Sequence, residues 1–211
     1  MADFSDTRYN TIFNTPLVRD IWEEGIELNP LLRERILAQE ADSPGIVKSN
    51  YGGWHSETGQ LEFCGDAGER LLLRVRALAD EATRRFFAQH NKPCPAFDWK
   101  ITAWANVSRT GDFNATHTHP GSDWSGTYYI DAGDPADPER GTVLHLLDPN
   151  GAGRSAFLLV GQSSVPANVV ITPRPGLMVL FPSYVPHEVY PHRGNSPRIS
   201  IAFNVRKDPS P

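Results

Sequence analysis

The chain has 211 residues, 39% of them hydrophobic, with ten Phe, six Tyr and five Trp, enough for one sizeable core with or without a helical extension. Twenty basic and 25 acidic side chains leave a net charge of −5 with no basic run, which argues against a nucleic-acid backbone as partner. No apolar stretch reaches the length of a bilayer span, and the first residues lack the basic and apolar regions of a secretory signal, so a cytoplasmic protein without a membrane partner is expected. Cys64 and Cys94 make no disulfide framework and are expected to be reduced thiols.

In chain order, Asn10 to Trp22 reads as an extended segment. Asn29 is placed as the N-cap of a helix with Pro30 in its first position, continuing through Leu31, Leu32, Ile36 and Leu37. Ser49 to Ser56 is an irregular polar-aromatic loop containing Tyr51, Gly52, Gly53, Trp54 and His55. Asp66 with Glu69 has the capping-box spacing. Leu71, Leu72, Val75, Leu78, Ala79, Ala82 and Phe86 then recur at helical intervals, predicting one amphipathic helix to Gln89.

From Pro95 onward the texture is β. Strand candidates are Phe97 to Val107, Ser125 to Ile130, Thr142 to Leu147, Ala156 to Val160, Asn168 to Thr172, Leu177 to Phe181, Glu188 to Tyr190 and Arg198 to Val205. Turn residues separate them at Asp134-Pro135, Asp148 to Gly151, Pro173 to Gly176 and Arg193 to Asn195. Seventeen Gly and 18 Pro suit such a turn-rich fold. The predicted architecture is mainly β with a helical N-terminal part: a double-stranded β-helix, or cupin-like jelly roll. Residues 1–94 supply an extended segment and helices that pack on the barrel, residues 95–211 supply the jelly-roll catalytic core, and the two form one structural unit. Lys207 to Pro211 is expected to fray.

The residues that carry chemistry are His117 and His119, one residue apart, and His187 far downstream. Side chains at i and i+2 of a strand point the same way, roughly 6.6 Å apart, so two imidazoles there can turn toward one point. A third imidazole from a distant strand would complete a facial set suited to a divalent transition metal such as iron, leaving positions open for other ligands. Arg198 follows, with a bidentate fork suited to a carboxylate deep in the barrel, and Ser200 lies two residues on along the same face. Of the other histidines, His145 reads as an inward polar residue near this site, His192 as a solvated turn residue, and His55 as part of the loop at Trp54. Trp104 and Trp124 read as core or rim residues, and Tyr128 and Tyr129 point to opposite faces, so at most one lines a pocket.

Asn106, His117 to Pro120, Ser125 to Tyr129, Asp148-Pro149, Gly176, Phe181 to Ser183, His187 and Arg198 to Asn204 together resemble the iron(II)- and 2-oxoglutarate-dependent oxygenases. More narrowly they resemble a bacterial and phage group with an HxH pair, a distal His and an RxS motif. The resemblance covers residues 104–205 and reaches weakly into 13–17 and 51–56. It implies that His117 and His187 are the two histidine ligands of ferrous iron. Most of the superfamily has Asp or Glu two residues after the first ligand, where this chain has His119. Either His119 is the third ligand, which the shared strand face favours, or another group fills that position, Asp123 being the nearby carboxylate. A neutral third ligand leaves the centre one unit more positive, which favours anionic ligands.

The resemblance further implies that Arg198 and Ser200 hold the distal carboxylate of the co-substrate 2-oxoglutarate, with Asn106 and Tyr128 or Tyr129 adding hydrogen bonds. The implied reaction couples oxidative decarboxylation of 2-oxoglutarate by dioxygen to hydroxylation of a small molecule, an amino acid or a peptide. Tyr51, Trp54, His55 and Trp124 are the candidate substrate contacts, on a rim completed by 121–124 and 134–140. A homodimer is the commonest assembly for such a chain. The competing readings are a cupin-like three-histidine metal enzyme that does not use 2-oxoglutarate (a dioxygenase, isomerase or lyase) and a non-catalytic jelly roll.

Overall fold

The computed structural model describes residues 15–133, 142–149 and 168–208. In chain order the elements are β1 (Val18–Ile21), α1 (Glu23–Asp42), β2 (Asn50–Tyr51), β3 (Trp54–His55), a 3-10 turn (Glu62–Cys64), α2 (Gly65–Gln89), β4 (Trp99–Ser108) and β5 (Phe113–His117). Then come β6 (Trp124–Asp131), β7 (Leu144–Leu147), β8 (Asn168–Ile171), β9 (Leu177–Pro182), β10 (His187–Val189) and β11 (Arg198–Lys207). The strands form two antiparallel sheets, one of six strands in the order β1-β9-β6-β11-β4-β3 and one of five in the order β2-β5-β10-β7-β8. This is the jelly roll the strand pattern predicts, with both helices on one side of it.

The six-stranded sheet is covered on both faces, and the period-two alternation of its strands sorts residues between two cores. Tyr128, Met178, Leu180, Ile199, Ile201 and Phe203 face the helices and pack with Leu32 and Ile36 of α1 and Leu71, Val75 and Ala79 of α2. Their neighbours Tyr129, Val179 and Phe181 face the other sheet and pack with Leu144, Leu146 and Ile171. Each fully buried side chain of this kind stabilises the fold by about 1.5–3 kcal/mol. The same alternation turns Arg198 and Ser200 away from the helices and into the space between the sheets. No helix among the described residues is long and apolar enough to cross a membrane.

Several local expectations are corrected. Helix α1 begins at Glu23 and runs through Pro30, so Asn29 is not its N-cap. Asn29 is buried and accepts a hydrogen bond from the Tyr128 hydroxyl at 2.8 Å, so a core contact takes the side chain that a cap would have used. Pro30 lies on the exposed side of the helix interior, where it gives up one backbone hydrogen bond without disturbing the packed face. Asp66 is likewise not a cap. The chain enters α2 through Leu61, which has a left-handed φ of 60°, and through the 3-10 turn, and Asp66 sits in the first helical turn. A carboxylate there still complements the positive helix end.

The loop at 49–56 is also more ordered than its composition predicts. Strand β2 joins the five-stranded sheet through β5, whereas β3 joins the six-stranded sheet through β4. Gly52 and Gly53, with φ of 66° and 62°, carry the chain from one sheet to the other in a backbone region that favours glycine. Lys207 is still paired with Trp99, so the strand extends into the expected tail. The strand expected at Ala156 to Val160, the turn at Asp134-Pro135 and the rim segment 134–140 lie outside the described residues.

Candidate metal centre

Strands β5 and β10 lie side by side with His117 directly opposite His187. Their ring centroids are 4.3 Å apart, and the His119 ring lies 4.9 Å from the first and 5.1 Å from the second. One ligand atom from each imidazole falls within 4.8 Å of the others, so the three rings can hold one metal ion. His117 and His187 are oriented by the same local device. Each Nδ1 faces the carbonyl two residues upstream, Ala115 at 2.7 Å and Val185 at 3.0 Å. A carbonyl only accepts, so Nδ1 carries the proton and the lone pair is left on Nε2.

His119 reaches the cluster by another route, and the expectation of a shared strand face is corrected. Strand β5 ends at His117, and His119 lies in the loop that follows. Its backbone N–H donates to the Ser183 carbonyl at 3.0 Å, and the Ser183 hydroxyl donates back to the Ser122 carbonyl. This stitch folds the loop over the end of the barrel. Asp123 does not join the cluster: its carboxylate accepts the Lys207 N–H at 2.7 Å.

Burial holds all three imidazoles below their usual titration range, His187 at about 3 and His119 at about 4, and for these two the neighbouring imidazoles add to the effect. They are therefore neutral lone-pair donors across the physiological range, as metal ligation requires.

The cluster opens into a cavity of about 60 Å³ whose far wall is built from β4, β6 and β11. Arg198 lies on that wall and is only 3% exposed. No carboxylate among the described residues pairs with it, and its buried Nε has no hydrogen-bond partner. Burial lowers its pKa. An unpaired buried cation costs several kcal/mol, on the order of the desolvation penalty of one ion. A guanidinium kept in that state fits an anion that arrives from outside. Ser200, Asn106 and Tyr129 line the same cavity, with Ser200 and Asn106 directly opposite on paired strands. Burial pushes the Tyr129 phenol up to about 12, so it stays neutral and can donate. Three neutral nitrogens beside an unsatisfied guanidinium are a donor set that ferrous iron and a dicarboxylate such as 2-oxoglutarate both fit.

The remaining expected site residues are not brought together here. Tyr128 faces the helices, donates to Asn29 and meets Trp22 edge-on at 5.6 Å, so it is withdrawn as a cavity residue. Trp54 and Trp124 belong to the helix-side core, where their indole N–H groups donate to the Ser43 carbonyl at 2.9 Å and to Thr83 Oγ1 at 3.0 Å. His55 is buried and stacked on Trp104, behind the cavity rather than in its lining. Tyr51 is 58% exposed and stacks on Phe113 at 4.7 Å. His145 points away from the cavity that its neighbour Leu144 lines, and it stacks on Tyr190 at 4.0 Å. His192 is buried, not solvated. Its Nδ1 accepts from Thr142 Oγ1 at 3.0 Å, and its Nε2–H donates to the Ser196 carbonyl at 2.7 Å.

Sequence reasoning missed Ser49 and Asn114, which line the cavity beside His117, and Ser125 and Thr127 on the far wall. Asn114 lies on β5, a short strand absent from the strand candidates read from the sequence. Ser125 and Thr127 lie in the Ser125 to Tyr129 segment that carries the resemblance but were given no site role, and Ser49 has no spacing signal that separates it from a surface residue.

Residues 102–204 match the family model described as "Putative 2OG-Fe(II) oxygenase". Among solved structures, a prolyl-4-hydroxylase of Pseudomonas putida aligns at 16% identity over 92% of this chain and 94% of its own, with a TM-score of 0.64. A prolyl hydroxylase from Trichoplax adhaerens, solved with a hypoxia inducible factor peptide fragment, aligns at 16% identity over 90% and 83%, with a TM-score of 0.63. The α-ketoglutarate-dependent epimerase SnoN from nogalamycin biosynthesis aligns at 14% identity over 92% and 77%, with a TM-score of 0.61. At these identities the likeness is one of fold. No curated protein sequence matches the chain. The matched segment contains all three clustered histidines and Arg198, and over 102–204 the chain is similar to the 2OG-Fe(II) oxygenases, oxidoreductases working with ferrous iron and 2-oxoglutarate.

Proposed function

We propose that His117, His119 and His187 hold the ferrous ion and that Arg198, with Ser200, Asn106 and Tyr129, holds 2-oxoglutarate for hydroxylation of a small molecule, amino acid or peptide. When bound, iron and 2-oxoglutarate supply oxygen-dependent decarboxylation coupled to oxidation of a C–H bond. Arg198 neutralises one carboxylate and fixes its direction, while Ser200 donates its hydroxyl to the same group. Tyr129 remains protonated and donates a third hydrogen bond. Phe181 and Leu144 line the same cavity and limit water there.

The observation that carries this reading is the buried, unpaired guanidinium of Arg198, which a three-histidine enzyme without 2-oxoglutarate leaves unexplained. Two fold neighbours are prolyl hydroxylases by name, which supports hydroxylation and keeps an amino-acid or peptide substrate in view. The net charge of −5, spread without a basic run, supports a substrate other than nucleic acid. The two free cysteines support a reducing, cytoplasmic setting.

Anaerobic titration with ferrous iron and 2-oxoglutarate tests the proposal. A visible metal-to-ligand charge-transfer band that requires both components, and that Arg198→Ala shifts to far higher 2-oxoglutarate concentration, is the expected result. Metal-loaded protein that develops no band overturns it.

A further inference from the structure

Two of the three clustered imidazoles are held by hydrogen bonds, and the third is not. His117 and His187, both on strands, each donate Nδ1–H to the carbonyl two residues back. Among the described residues no hydrogen bond reaches the ring of His119, which also sits in a loop rather than on a strand. A ligand so placed needs some other restraint to hold its ring toward the other two. Apart from those two rings, its aromatic neighbour is Trp104, 5.7 Å away between centroids and tilted by 56°.

Trp104 is itself braced. It is buried on β4, and the His55 ring lies almost parallel to it at 5.4 Å and 9°. His55 is fixed by its Nδ1–H, which donates to the Ser56 carbonyl at 2.5 Å. Ser56 is bolted to β4 next to Trp104. Its N–H donates to the Ala105 carbonyl at 3.0 Å, and its hydroxyl accepts the Ala105 N–H at 3.0 Å. His55, Trp104 and His119 are thus successive ring neighbours, a column whose first two members stand on paired strands and whose third is the loop-borne ring of the metal cluster.

We propose that Trp104, backed by His55, is the positioning residue for His119: the aromatic column does for the loop-borne ligand what the Nδ1–H to carbonyl bonds do for the two strand-borne ones. This rests on the reading of the three histidines as metal ligands. It also gives a purpose to the loop at 49–56, whose two left-handed glycines deliver His55 onto the sheet behind Trp104. Aromatic pairs hold rings at preferred offsets and tilts, so the column restrains rotation without using either imidazole nitrogen. Both nitrogens of His119 are left free of protein donors, and one can face the metal.

Binding of Co²⁺ alone, without 2-oxoglutarate, tests this, read by affinity and by the visible d–d spectrum. His119→Ala sets the cost of losing the third ligand. Trp104→Leu is expected to weaken Co²⁺ by about 10- to 100-fold, the usual loss for a residue that orients a ligand, and to move the d–d bands toward those of His119→Ala. Trp104→Phe restores most of the affinity. The double variant Trp104→Leu/His119→Ala binds no more weakly than His119→Ala, because a positioning residue has nothing left to position. Trp99→Leu, on the same strand but packed against the helices, leaves affinity and spectrum as in the parent, so a general loss of packing is separated from the specific effect. If Trp104→Leu does not fold, His55→Leu decides: a threefold or greater loss supports the column, and parental affinity overturns it. Parental affinity in folded Trp104→Leu, with His119→Ala impaired, overturns the column and leaves the metal reading standing. Parental affinity in His119→Ala overturns the ligand reading itself.

Discussion

The two faces of the six-stranded sheet are made by alternate residues of the same strands, yet they obey opposite rules. On the helix side the large polar aromatics are satisfied: Tyr128 by Asn29, Trp54 by Ser43, Trp99 by Asp80 and Trp124 by Thr83. On the barrel side the Arg198 Nε is unpaired, and the imidazoles of the facing sheet are held neutral beside it. The helix side is organised for stability, where a partnered polar group costs little. The barrel side keeps donors and lone pairs in reserve, which destabilises the empty fold and lets a ligand bind.

Arg198→Met gives the strongest test of that contrast. 2-Oxoglutarate affinity should fall by about 10²–10³-fold, in line with losing a buried charge-assisted contact of a few kcal/mol. The metal-free protein should melt at the same temperature or higher, because a desolvated unpaired cation has been removed. A large drop in melting temperature would mean that Arg198 is structural. On the other face of the same strand, Ile201→Ala should cost about 2–5 kcal/mol in denaturant unfolding while the folded fraction binds 2-oxoglutarate as before.

Acid provides the next test. His119 and His187 have folded pKa values of about 4 and 3, below the ordinary value of 6.5. The unfolded chain therefore binds more protons than the folded one between these limits. Metal-free protein should keep this contribution above pH 6.5 and lose it as pH falls toward 4, seen as a falling melting temperature. His187→Ala should flatten that slope, and an unchanged slope would place the acid sensitivity elsewhere.

The adjacent tyrosines sharpen the comparison at smaller amplitude. Tyr128→Phe should lower stability by about 1 kcal/mol and leave 2-oxoglutarate affinity alone, whereas Tyr129→Phe should do the reverse, weakening the co-substrate a few-fold. If both variants behave alike, the alternation does not divide function from stability. Last, burial raises the Cys64 thiol to about 12, so alkylation of native protein at pH 8 should modify Cys94 and spare Cys64 until unfolding.

Much of this division was legible in advance, and the failures have a common cause. His187, Arg198 and Ser200 announce themselves because each residue type is expensive to bury without a purpose. Tyr128 and Tyr129 were separable onto opposite faces by strand period, but which face each takes was not. Where helices cover one face and a second sheet the other, both faces are apolar and alternation loses its polarity signal. Trp54, expected at the substrate rim, and Trp124, read as core or rim, both belong to the helix-side core. Asn29 and Asp66 looked like helix caps because local propensity favours them there, and tertiary contacts overrode it at Asn29.

Residue types and their order in the chain were enough to determine a β-rich barrel with a helical preface, a three-histidine cluster and a guanidinium beyond it. Local periodicity and the cost of burying charge act over a few residues, so they can be read without coordinates. Only the tertiary structure decided that His119 arrives on a loop stitched to Ser183, that Trp104 and His55 lie in turn beside it, and that Arg198 Nε has no hydrogen-bond partner among the described residues. Those facts depend on which distant segments meet, and no local rule encodes the meeting.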